Sequence, residues 1–83
     1  MTVKEVVESD NFKRIYEKID KSIKIQLDKI LIKIIENPEI GKPMRFARKG
    51  TRELYVGSFR LSYAYNSSSQ ILYLLDFYHK DKQ

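Results

Sequence analysis

Six basic side chains, Lys42, Arg45, Arg48, Lys49, Arg52 and Arg60, stand between positions 42 and 60, with Glu53 as the one acid among them. The flanking segments, 1–41 and 61–83, each balance their own charges, so the net +5 of the chain belongs to this stretch. A local excess of cations suits a polyanion, because clustered Lys and Arg gain affinity by displacing counterions from phosphates. Nucleic acid and an acidic protein segment both fit that description; a solubilising surface loop is the reading without function. The two residue types differ in what they can do. Arg grips two phosphate oxygens with a planar fork, whereas Lys is a compact charge that can transfer a proton if neighbouring cations depress its pKa. A second pair, His79 and Lys80, follows near the C-terminus. An imidazole with an ordinary pKa near ~6.5 suits proton exchange.

Composition narrows the chemistry. The chain has no Cys and one His. It therefore has neither a disulfide framework nor a thiolate metal site, and a lone imidazole cannot assemble a His-based zinc centre. No metal and no cofactor are expected. No apolar run approaches the ~20 residues of a membrane span, and the leading MTVKEVVESDN has charges where a signal peptide would be apolar. The expectation is a cytoplasmic protein without a membrane partner. The hydrophobic content of 42% and ten aromatics argue for a folded chain, and 83 residues suffice for one domain, 1–83.

The elements that must position these residues can be read from periodicity. VKEVV, residues 3–7, is β-branched and reads as a strand. Ser9 and Asp10 then offer a helix cap, and apolar residues at 12, 15, 16, 19, 23, 27, 30, 31, 34 and 35 mark one face of a helical segment. A second cap at Asp20 divides it into a helical hairpin of about 10–36, with one continuous helix as the alternative. Ile25 and Ile32 lie off the main stripe and predict a second apolar contact, with the strand layer or with another chain, the former favoured. ENPEIGKP ends the helix, because Pro38 disfavours helical geometry at Asn37. A basic loop, 41–52, follows. RELYVG (52–57), FRLSYAYN (59–66) and QILYLLDFYHK (70–80) then predict an antiparallel strand meander over 52–80. Alternation sends Phe59, Leu61, Tyr63 and Tyr65 toward the helices, and sets Arg60 among small side chains on the opposite, open face. The last strand is nearly all apolar and is expected inside the sheet.

The hairpin, the ENPEIGKPM link, the strand pair RELYVGSFRLSY and the closing FYHKD together resemble the RelE/ParE superfamily of bacterial and archaeal toxins, over nearly the whole chain. The ENPEIGKPM link and the strand pair are the most specific parts; the family form of the strand pair is roughly Leu-Arg-Val-Gly-x-Tyr-Arg-Ile-x-Tyr. The resemblance implies an α+β fold of order β-α-α-β-β-β, similar to microbial ribonucleases, with the helical hairpin packed on a small, mainly antiparallel sheet. It implies the toxin of a type II toxin–antitoxin module, bound by a RelB-like antitoxin in a heterodimer or heterotetramer. In the RelE branch the implied activity is a ribosome-dependent endoribonuclease that cleaves mRNA in the A site by metal-independent, in-line attack of the 2′-OH. In the ParE branch it is inhibition of DNA gyrase. The endoribonuclease is the expectation taken forward; a gyrase inhibitor without chemistry and an inactive antitoxin-binding member are the alternatives.

Site residues carry over by position. Arg60 falls on the family's strand arginine, which the resemblance implies contacts the scissile phosphate. Lys42, Arg45, Arg48 and Arg52 lie where the family presents RNA-binding Lys and Arg, with Lys49 placed in the catalytic set. His79 and Lys80 fall where relatives carry a His-Arg or Lys-Arg pair, implying proton exchange and charge stabilisation. Glu53 and Tyr55 stand where many ribonuclease members have basic residues. Glu53 is then a candidate base and Tyr55 a candidate RNA contact. A Tyr that relatives often place beyond the His-Arg pair has no counterpart before Gln83, so Tyr78 or Tyr55 would substitute for it.

Overall fold

The computed structural model describes residues 3–82. Its elements run β1 (Glu5–Glu8), α1 (Asp10–Lys18), α2 (Lys21–Glu36), β2 (Lys42–Pro43), β3 (Arg52–Val56), β4 (Phe59–Asn66) and β5 (Ile71–His79), with short 3-10 turns at Phe46–Arg48 and Lys80–Lys82. The sheet order is β1-β5-β4-β3-β2. β1 pairs with β5 in parallel and the other neighbours are antiparallel, so the sheet is mixed. The basic loop thus contributes a two-residue strand that periodicity did not show, because two residues carry no alternation.

Helix ends follow side-chain chemistry. The Ser9 hydroxyl accepts from the Phe12 N–H (3.0 Å), capping α1, and donates to the Leu75 carbonyl (2.7 Å), which ties that cap to β5. Between the helices, Asp20 stands at the N-cap of α2 but its carboxylate takes the Ser22 hydroxyl in place of a backbone N–H. Tyr16 of α1 donates to Asp28 of α2 (2.8 Å), closing the hairpin. The apolar stripe packs on one sheet face: Phe12, Leu27 and Ile34 meet Val56, Leu61, Tyr63, Leu72, Leu74 and Phe77, all buried. Ile25 and Ile32 do not join them. At 50% and 59% exposure they point away from the sheet, because their offset from the stripe exceeds what one packed helix face can cover.

Two features of this core set up the opposite face. The Tyr63 phenol, fully buried, donates to the Pro38 carbonyl and accepts from the Gly41 N–H, both at 2.8 Å. A Cβ at Gly41 would lie 2.6 Å from that oxygen, so the exit from α2 needs glycine there. The second feature is a register shift between β4 and β5: Ser62 pairs with Asp76 but Tyr63 pairs with Leu74, leaving Leu75 as an extra residue. Before it Leu72 and Leu74 face the core; after it Phe77 does. The bulge exchanges the faces of everything downstream.

Candidate active site

The register places Tyr55 of β3, Arg60 of β4 and Tyr78 of β5 side by side, and one step along, Glu53, Ser62 and Asp76. Directly paired residues share a face, so these six side chains stand on the side opposite the buried core, although Asp76 also accepts from the Asn11 amide of α1 (2.8 Å). The Arg60 guanidinium lies over the Tyr55 ring, its carbon 3.7 Å from the centroid. Its nearest hydrogen bond is a long one, 3.5 Å to the Phe59 carbonyl, and among the described residues it takes part in no ion pair. Stacking therefore holds the plane in place while leaving its donors available to an incoming anion.

Glu53 is buried despite standing on the open face, with 6% exposure. Two side chains reach one of its oxygens: the Tyr78 hydroxyl donates at 2.6 Å, and Arg48, from the 3-10 turn of the loop, donates at 2.8 Å. Arg48 also donates to the Tyr78 oxygen at 3.2 Å. The hydrogen bond that Arg48 donates to the Tyr78 oxygen, then the electrostatic effects of Tyr78 and of Glu53, raise the affinity of the Arg48 guanidinium for its proton. Its side chain remains 51% exposed, so the cation faces outward above a covered carboxylate. Lys42 pairs with Glu53 across β2 and β3, and together with Met44, Tyr55 and Arg60 these residues line a shallow open cleft of about 600 Å³.

The remaining candidates go elsewhere. The Arg52 guanidinium donates to the carbonyls of Gly41 (2.8 Å) and Glu39 (3.1 Å), so it fastens the link after α2 on the core side of the sheet, apart from the Glu53 and Arg60 face. His79 follows Phe77 onto the helix side. It pairs with Phe59 and meets that ring edge-on at 5.3 Å, and its Nδ1 accepts from the Asp81 N–H at 3.2 Å. It does not share a face with Arg60, and the bulge at Leu75 is the reason. Lys80 begins the closing 3-10 turn, its backbone N–H bound to the Ser58 carbonyl (2.9 Å), with an exposed side chain. Arg45 and Lys49 are exposed on the loop. Among the described residues no three His, Cys, Asp or Glu side chains converge as metal ligands. No described helix is long and apolar enough to cross a membrane.

Sequence reasoning named Tyr78 only as a substitute for a missing Tyr, and did not single out Phe46. The first has a signal in the chain, two aromatics in FYHK of which alternation buries one; which one depends on the bulge. Phe46 had only its place inside the basic loop.

Residues 9–83 match the family model described as the ParE toxin of type II toxin–antitoxin system, parDE. The chain belongs to this family. No curated protein matches it in sequence. Among solved structures it is similar to a YoeB/ParE toxin from Agrobacterium tumefaciens, with 16% identity over 90% of this chain and 96% of that one, at a TM-score of 0.82. It is similar also to the RelBE2 toxin–antitoxin complex from Mycobacterium tuberculosis (22% identity, 90% and 95% covered, TM-score 0.81). The intact RelBE complex from E. coli gives 16% identity, 89% and 93% covered, and a TM-score of 0.78. At these identities the structures establish a shared fold: two helices on a five-stranded mixed sheet.

Proposed function

We propose that this toxin of the RelE/ParE family is an endoribonuclease that cleaves mRNA on the ribosome through its open sheet face. One observation carries the reading: a buried carboxylate, Glu53, touching a phenol and a guanidinium, beside a second guanidinium, Arg60, held flat with one long bond to the Phe59 carbonyl. Cleavage by the RNA's own 2′-OH needs an in-line geometry, compensation of charge on the phosphate, and two proton movements. Arg60, with Arg48 at the rim, supplies the charge. Glu53 is placed to take the 2′-OH proton as the 2′-oxygen bonds to phosphorus, and Tyr78 to give one to the departing 5′-oxygen. Lys42, Arg45 and Lys49 attract the strand, with Lys80 as a further cation at the end of β5. A RelB-like antitoxin is the proposed cytoplasmic partner, as in the RelBE complexes that share the fold. An acidic antitoxin segment would cover the same cations.

A second reading, inhibition of DNA gyrase by binding alone, is favoured by the match to the ParE branch and by Glu53 and Tyr55 standing where ribonuclease relatives have basic residues. Programmed ribosomes with a defined messenger separate the two. Incubation with the protein is expected to give new 5′ ends at A-site codons by primer extension, absent with free RNA. Intact messenger from protein that still arrests growth overturns the ribonuclease and supports the gyrase inhibitor.

A further inference from the structure

Phe46 is the most exposed large apolar side chain described, at 92%, and its backbone has φ of 58°. Left-handed geometry is uncommon for any residue with a side chain and is an outlier for one this bulky. Such a conformation persists only where its surroundings impose it. Here they do. Met44 donates to the Thr51 carbonyl (3.0 Å), Lys49 to that of Phe46 (3.0 Å), and the Thr51 hydroxyl to that of Arg48 (2.7 Å), closing the loop around the 3-10 turn. An apolar ring is thus held out of the core by a braced and unfavourable backbone, where relaxation inward would normally be the more stable outcome.

Its neighbours say what could cover it. Lys42, Pro43, Met44, Arg45 and Phe46 line an open cleft of about 700 Å³. That cleft shares Lys42 and Met44 with the one that holds Glu53, Tyr55 and Arg60. Arg45, Arg48 and Lys49 flank the ring in sequence, with no acid between positions 40 and 52. An exposed aromatic among cations, with no anionic neighbour on its loop, is the pairing that binds single-stranded nucleic acid: charges follow the backbone and the ring stacks on a base. We infer that Phe46 is a stacking platform for an unpaired RNA base, seated one cleft away from the phosphate held at Arg60. The inference rests on the reading of this chain as an RNA-cleaving toxin and adds how it holds its substrate. Since any base has a π-face, the platform would steady the strand with at most a modest preference for bases that stack strongly.

The chain has no Trp, so Phe46→Trp introduces a single indole reporter. Titration with a single-stranded RNA dodecamer at low salt is expected to quench its emission, and the same RNA annealed to its complement to quench far less. Phe46→Ala and Phe46→Leu should each bind the single strand about tenfold more weakly, within the range for one stacked base, while Phe46→Tyr restores affinity. An indole that does not respond overturns the inference. So does wild-type affinity in Phe46→Leu, which would make the residue an apolar protein contact. The A-site cleavage assay keeps the two readings apart. Full cleavage by Phe46→Ala with an unresponsive indole removes the platform and leaves the nuclease; quenching in Phe46→Trp and tenfold weaker binding by Phe46→Ala, beside a wild-type protein that cuts nothing, remove the nuclease and leave the platform.

Discussion

The two faces of this sheet treat polar groups in opposite ways. Beneath the helices, the Tyr63 hydroxyl and the Arg52 guanidinium are bonded to the backbone of the link between α2 and β2, at Pro38, Glu39 and Gly41. Their capacity is taken up inside the fold. On the open face, Glu53, Arg48 and Tyr78 bond one another while Arg60 rests on the Tyr55 ring. A buried carboxylate on a face with no helix above it adds little to stability, because its desolvation opposes the gain from pairing. Under the function proposed above, the arrangement serves to act on a phosphate. One face sets the geometry of the chain and the other is held ready by it.

The comparison breaks most decisively at Arg60. Arg60→Ala is expected to lower ribosome-dependent cleavage by about 10²-fold, the usual loss on removing one stabiliser of transition-state charge, with the melting temperature little changed. A folded variant with undiminished cleavage would sink the assignment. Glu53→Gln keeps the shape and its contact with Tyr78 but abolishes the base, and should reduce single-turnover cleavage at least about tenfold. If the cluster were only a structural pair, that variant would lose stability and keep its rate.

On the other face the effect is expected in stability first. Tyr63→Phe strands the Gly41 N–H and the Pro38 carbonyl, at about 1–3 kcal/mol, and calorimetry should show the midpoint falling by several degrees. Burial raises the Tyr63 pKa above its usual 10.0. The unfolded chain then loses that proton first as pH rises, so stability is held below about pH 10 and falls above it. Tyr63→Phe should flatten this alkaline limb; an unchanged limb would contradict the role given to the phenol. The smallest effect is expected at His79. Set edge-on against Phe59 on the helix side, it should tolerate Gln with less than about a threefold change in cleavage, and a larger loss would show that the end of β5 joins the site.

Much of the architecture is legible because it depends on local rules. The cap at Ser9, the division of the hairpin at Asp20, the stop at Pro38 and the inward face of Leu61 and Tyr63 all follow from capping chemistry, proline geometry and the two-residue period of a strand. The clustering of cations between 42 and 60, and Arg60 on the open face, are visible for the same reason: composition and alternation need no knowledge of distant residues. What tertiary structure alone decided is which of these groups meet. ILYLLDFYH alternates without a mark at Leu75, yet the bulge there turns Tyr78 toward Glu53 and His79 toward Phe59. A bulge is set by the partner strand and the curvature of the sheet, to which a single strand's sequence is nearly blind. Arg52 and Arg48 are equally basic in the sequence, and only the fold assigns one to carbonyls on the core side and the other to a carboxylate on the open face. Charge is a property of residues, whereas a site is a property of the distances between them.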